Sequence, residues 1–184
     1  MTHHQKSNTS RVIKVLVLTL LLITIFSIVA SPTFAYSLLG GKWGSFPLYY
    51  YIGDTSFYLP EIYAGANSWN SAGTRVSLYR TYSNGYENIW ITGAYFGYTT
   101  WAGWTINYPS MDSNPYTYSY IKLNSYWMDG YSYSQRVHMT GHEFGHSIGL
   151  DHSYLGCNAL MDPNDLCATA PQADDISGTN ALYP

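Results

Sequence analysis

The chain has 184 residues, a formal net charge of −3, 17% aromatic side chains and only 10% charged ones. Beyond Lys6, Arg11 and Lys14 it holds no run of basic residues, which argues against nucleic acid and anionic membranes as partners. The length suits one domain able to bury its own core.

The three early cations are followed by an uncharged run, Val15 to Ala30, then by Ser31-Pro32 and Thr33-Phe34-Ala35. That is the layout of a secretory signal peptide over residues 1–35, with small residues at the cut. An uncleaved anchor is the rival reading, but a span needs about 20 apolar residues and this run is shorter and ends at a proline. Residues 36–184 are therefore expected as a secreted, extracellular, monomeric domain with no stable membrane association. All 20 Tyr and 6 Trp fall in it, so large rings with polar tips line its core and surface. Cys157 and Cys167 are its two cysteines. In an exported chain they pair most simply with each other, for roughly 2–3 kcal/mol of loop-entropy stabilisation.

The Gly-rich stretch 36–47 reads as an extended lead-in. Leu48–Ile52 is aromatic and β-prone, a strand. Residues 60–72 read as a helix, with Pro60 in the first turn, Gly73 at the exit and Ile62, Ala66 and Trp69 as its buried stripe. Alternation predicts strands over 75–82, with Val76 and Leu78 on one face, over 88–92, with Ile89 and Ile91, and over 118–124, with Ile121 and Leu123. Between them, 94–116 is expected to hold an edge strand and a long loop. Ser132 and Gln135 match a capping box that opens a helix over 132–148, stopped by Gly149. Strands followed by helices predict a single α+β domain.

The chemistry is concentrated in residues 142–152, His-Glu-Phe-Gly-His-Ser-Ile-Gly-Leu-Asp-His. His142 and His146, four apart on a helix, share one face. Val137, Gly141, Phe144 and Ile148 gather opposite, as a stripe that can pack on a sheet. Gly149 permits the left-handed exit that returns the chain and brings His152 to the same point. Three neutral imidazoles leave one tetrahedral position for water, the arrangement of a catalytic rather than a closed structural zinc. Glu143 is rotated by about 100° from His142. It cannot easily join the ligand set, but it can take a proton from the attacking water and pass it to a leaving amine. A surface helix that merely contains histidines explains His-Glu-x-x-His alone. It does not explain Gly149 and His152 at their offsets.

This motif, with Ser153 after it and Ala159-Leu160-Met161 beyond, resembles the metzincin zinc peptidases, and within them the matrixins. The similarity extends to the opening strand–helix–strand order and to a closing helix beginning at Asp174-Asp175. The resemblance implies a zincin-like fold with a twisted five-stranded mixed sheet carrying one antiparallel edge strand, an active-site helix and a small C-terminal subdomain. It implies one catalytic Zn2+ on His142, His146 and His152, with Glu143 as general base. Met161 would form a non-ligating floor beneath the ion, and the Asp pair would tie the last helix to that floor. Its substrate would be a protein or peptide laid against the edge strand. Cys157 and Cys167 would bracket the Met-turn. Calcium is left open. A second zinc is not expected, because residues 93–120 hold no His and only Asp112 as an acid. No third cysteine is present to block the metal, as a propeptide cysteine does in vertebrate-type relatives.

Other residues are read more plainly. His138, one turn before His142, is expected to be packed or solvent-facing, since the ligand set is complete without it. Tyr154 and Tyr183 are candidate oxyanion donors that no sequence cue separates from packing residues, and Asp151 is expected to anchor the turn. An alternative function is a secreted, zinc-containing, aromatic-rich adhesion module with weak or no catalysis. Pure binding would not need Glu143. An amidase acting on a non-protein amide is a further alternative.

Overall fold

Leu48–Ile52 forms strand β1, burying Leu48, Tyr50 and Ile52 and turning Tyr49 outward. This is the period-two alternation of a strand with one core face. The structure, a computed structural model, describes Lys14, residues 35–53 and residues 57–184. The chain divides into two units, Met1–Thr33 and Phe34–Pro184. The signal peptide expected over 1–35 lies, but for Lys14 and Ala35, outside the described residues.

Helix α1, Leu59–Asn70, takes Pro60 in its first turn and buries Ile62, Ala66 and Trp69 as the sequence predicts. It stops two residues before the expected 72. The Asn70 side chain donates to Leu78 O at 2.9 Å and accepts from Leu78 N at 2.7 Å, so the helix end is spent on pinning the next strand. Strand β2 is only Leu78–Arg80, not 75–82. Its parallel register with β1 begins at Leu48↔Leu78, and Leu48 is the first residue of β1, so the ladder starts no earlier.

Strands β3 (Ile89–Ala94), β4 (Gly103–Tyr108) and β5 (Tyr118–Asn124) complete one five-stranded sheet in the order β2-β1-β3-β5-β4. All neighbours are parallel except β4 and β5, paired antiparallel from Gly103↔Leu123 to Tyr108↔Tyr118. β4 is thus an edge strand with one open side. The short helix α2 (Ser125–Met128) leads into α3 (Tyr133–Ser147), and α4 (Ala173–Leu182) ends the chain. The domain is therefore α+β. Among the described residues four α-helices accompany the mixed sheet, and no helix is long and apolar enough to cross a membrane.

Helix α3 starts with the expected capping box, Gln135 N donating to Ser132 Oγ and Ser132 N to Gln135 Oε1. Its buried stripe divides between two partners rather than packing on the sheet alone. Phe144 meets Tyr50 of β1 edge-on, ring centroids 5.4 Å apart. Gly141 instead faces α1: a Cβ added to Gly65 would lie 2.8 Å from Gly141 N, and Trp69 Nε1 donates to Gly141 O at 2.8 Å. Two glycines allow the helices to approach backbone to backbone, and Arg136 reaches across to Glu61 at 2.7 Å.

The lead-in is a clamp on the end of α3. Leu38 pairs with Leu150 in an antiparallel bridge, Leu39 N donates to Gly149 O and Asp151 N to Ser37 O, and Trp43 Nε1 donates to Ser147 O at 2.8 Å. Gly149 itself has φ +102°, and a Cβ there would collide with Gly41 O. Gly149→Val should cost about 3 kcal/mol or more, combining left-handed strain with overpacking. Urea unfolding would measure it, with Gly149→Ala falling between. A parent-like midpoint for the valine variant would mean that the turn has another way to close.

Candidate metal centre

Helix periodicity places His142 and His146 on one face of α3. Each ring is then fixed from behind. His142 Nδ1 donates to Leu160 O at 2.9 Å and His146 Nδ1 to Leu150 O at 2.8 Å. A ring whose Nδ1 carries the proton keeps a lone pair on Nε2, the tautomer a metal needs. The Gly149 turn returns His152, whose backbone N is held by Asp151 Oδ1 at 2.8 Å. His146 Nε2 and His152 Nε2 come within 3.1 Å, and one nitrogen from each of the three rings lies within 4.8 Å of the others. A tetrahedral zinc with bonds of about 2.0–2.1 Å wants its nitrogens about 3.3 Å apart, so small side-chain rotations complete such a cradle. Among the described residues no other group of three His, Cys, Asp or Glu side chains converges in this way.

Burial also sets the protonation state. Desolvation holds His142 well below the usual histidine range, reinforced by the neighbouring His146, and brings His146 down to about 4. At neutral pH both are uncharged, the form that ligates.

Glu143 is 3% exposed and faces the same cleft, a cavity of about 580 Å³ bordered by Trp101, Trp104, Met139 and Pro163. Burial pushes its carboxyl up to about 8, against the lowering effect of a hydrogen bond from Thr105. A cation at the three nitrogens would reverse that balance by favouring the carboxylate.

The floor beneath the histidines is the Leu160-Met161 segment. Asp175, at the start of α4, accepts from Leu160 N at 2.7 Å and Met161 N at 3.1 Å. Asp174 accepts from Ser153 Oγ at 2.7 Å and from the backbone N–H groups of Ala35 and Tyr36. Met161 is buried, and its Sδ lies so close to Gly145 that a Cβ there would collide. Glycine in the last turn of α3 is what lets the floor rise to the helix. The Cys157–Cys167 disulfide forms around this segment, Cα atoms 5.3 Å apart, and the Asp162 carboxylate organises the enclosed loop by accepting from Gly156 N, Asn164 N and Asp165 N.

The remaining candidates separate cleanly. His138 is fully buried, its Nδ1 donating to Ala168 O at 2.7 Å, and it stays outside the three-nitrogen cluster. Tyr183 is no oxyanion donor: its hydroxyl donates to Ile148 O at 2.7 Å and accepts from Trp43 N at 3.0 Å. Tyr154 is 70% exposed, its ring 6.3 Å from that of His152. Two site residues escape the sequence reading. Thr105 Oγ1 lies 2.6 Å from Glu143 Oε2, and Asn107 Nδ2 donates to His146 O at 2.9 Å. β4 buries its polar Thr105 and Asn107 and exposes Trp104 and Tyr108. This inversion of the usual alternation was the available signal.

A scan against protein-family models matches none, and a search of curated proteins likewise finds no match.

Proposed function

We propose that this chain is a secreted, monomeric, zinc-dependent endopeptidase of the metzincin type, close to the matrixins, acting on protein or peptide substrates. The observation that carries the reading is the convergence of His142, His146 and His152 on one point in a cleft that also holds Glu143. The donor set fits the ion: three imidazoles, the two helical ones each oriented by a carbonyl behind it, with no fourth protein ligand in the group. When bound there, zinc would supply Lewis acidity, polarising the substrate carbonyl and making a water acidic near neutral pH.

The rest is the work of the chain's own residues. Glu143 accepts a proton from the attacking water on a carboxylate oxygen. It later delivers that proton to the nitrogen of the departing amine, so that the carboxylate is regenerated. The open side of β4 offers unpaired backbone groups for an extended peptide to add as a strand. Leu160, held by Asp175, keeps the His142 ring from turning. The exposed rings of Tyr95, Tyr98 and Tyr126 favour a second reading, an aromatic-rich adhesion module that retains the ion. The buried carboxylate of Glu143, costly to desolvate, has no purpose in it.

Casein and gelatin overlay gels separate the two readings. The purified domain should clear both substrates, lose activity in a chelator and regain it on zinc addition. A stoichiometric zinc protein that clears neither would sink the peptidase reading and leave adhesion. The charge state of Glu143 gives an independent check. At pH 7 a carboxyl titrating near 8 is mostly protonated before metal binds, so zinc uptake should release about one proton. Calorimetry in buffers of different ionisation heat counts it, and Glu143→Gln should remove most of the release. An unchanged count in that variant would assign the proton to a histidine.

A further inference from the structure

We infer that Thr105 is a positioning residue for Glu143, its hydroxyl holding the side chain in place both before and after the carboxylate takes up a proton. The inference rests on the reading of Glu143 as the base. Thr105 lies on β4, 2% exposed, and its Oγ1 stands 2.6 Å from Glu143 Oε2 and 3.0 Å from the backbone Glu143 O. A threonine hydroxyl has one proton to give and lone pairs to receive, and these two neighbours use both. With Glu143 ionised, the Thr105 O–H donates to Oε2. With Glu143 protonated, Oε2–H donates to Oγ1, and the Thr105 O–H swings to the Glu143 carbonyl. The proton taken from the water stays on Glu143 in the second state, and Thr105 neither gains nor loses one.

Three features make this more than a chance contact. An ionisable group that changes charge in a dry site needs a partner that serves both forms, because either one left unpaired is costly. A hydroxyl can both donate to the anion and accept from the acid, whereas a backbone N–H can only donate. The β-branched side chain is stiff at χ1, so the strand fixes where the oxygen sits. Finally, Gly103, two residues earlier on the same face of β4, leaves room for the carboxylate: a Cβ there would collide with Glu143 Oε1. The strand is cut away at one position and supplies the hydroxyl at the next inward one.

The test compares Thr105→Val, which keeps shape and stiffness without the hydroxyl, with Thr105→Ser, which keeps the hydroxyl. Valine should lower kcat roughly 10- to 100-fold, the range found when a supporting partner of a reactive group is lost, while KM and zinc stoichiometry stay within about twofold. Serine should recover kcat to within a few-fold of the parent. Parent-like kcat in the valine variant, or an equal loss in both, would overturn the inference in favour of simple packing. Crystal structures of the parent and the valine variant give a readout independent of turnover. The Glu143 carboxylate should leave its place beside β4 when the hydroxyl is gone, and an unmoved carboxylate refutes the positioning role. If the parent itself cleaves nothing, the peptidase reading fails, and the crystallographic arm still decides the contact.

Discussion

Glu143→Gln is expected to lower kcat by about three orders of magnitude, within the range of 10²–10⁴ that a positioned base contributes, while zinc stoichiometry stays at one. Glutamine preserves length and shape. Its amide oxygen can still accept from Thr105, so the cleft should keep its form. What is lost is the ability to carry a proton from the water to the leaving nitrogen. The same substitution should raise the stability of the metal-free protein. Burial lifts the Glu143 carboxyl from 4.5 to about 8. A raised folded-state value means that stability is fully present below pH 4.5 and is lost as pH rises through 8. The gap in melting temperature between the Gln variant and the parent, in chelator, should therefore widen from pH 5 to pH 8. A rate within tenfold of the parent would remove Glu143 from the base role. A gap that stays flat from pH 5 to pH 8 would show that the carboxyl is already ionised in the fold.

The second large effect is on the metal. His146→Ala should weaken zinc binding by a hundredfold or more, since a set of three or four ligands shares an apparent binding energy of about 10–16 kcal/mol. The loss also frees Leu150 O, the acceptor for His146 Nδ1, and so loosens the turn that carries His152. His138→Ala is the control. That ring lies one turn before His142 and is fully buried, but its Nδ1 bonds Ala168 O and it is outside the three-nitrogen group. It should cost stability through its cavity and leave zinc affinity within a few-fold of the parent. Competition against a chromophoric chelator measures both variants. If the two lose zinc alike, or if His146→Ala retains parent affinity, the ligand set is misassigned.

How legible each part was follows from the range of the interactions behind it. The start of α3 is a contact between residues three apart, Ser132 and Gln135, and could be read directly. The positive φ of Gly149 was equally local. The limits of α1 and β2 were not, because Asn70 and Leu78 settle them jointly and β1 offers β2 only three register positions. The stripe of α3 was correctly seen as buried, but its neighbours were not. A glycine at 141 carries no sign that another at 65 will meet it.

The spacing of His142, His146 and His152 around Gly149 determined by itself that three imidazoles would meet near one point, because helix pitch and one left-handed turn are properties of short segments. Only the tertiary structure decided which tautomer His142 holds, what floor it rests on and what faces Glu143. Leu160, Asp175 and Thr105 come from segments 18, 15 and 38 residues away from the groups they support or orient, His142, Leu160 and Glu143. Such contacts exist only once the sheet edge, the floor loop and the last helix have closed around α3. The physical reason is that a hydrogen bond across a core depends on how distant elements pack, and no local pattern encodes that.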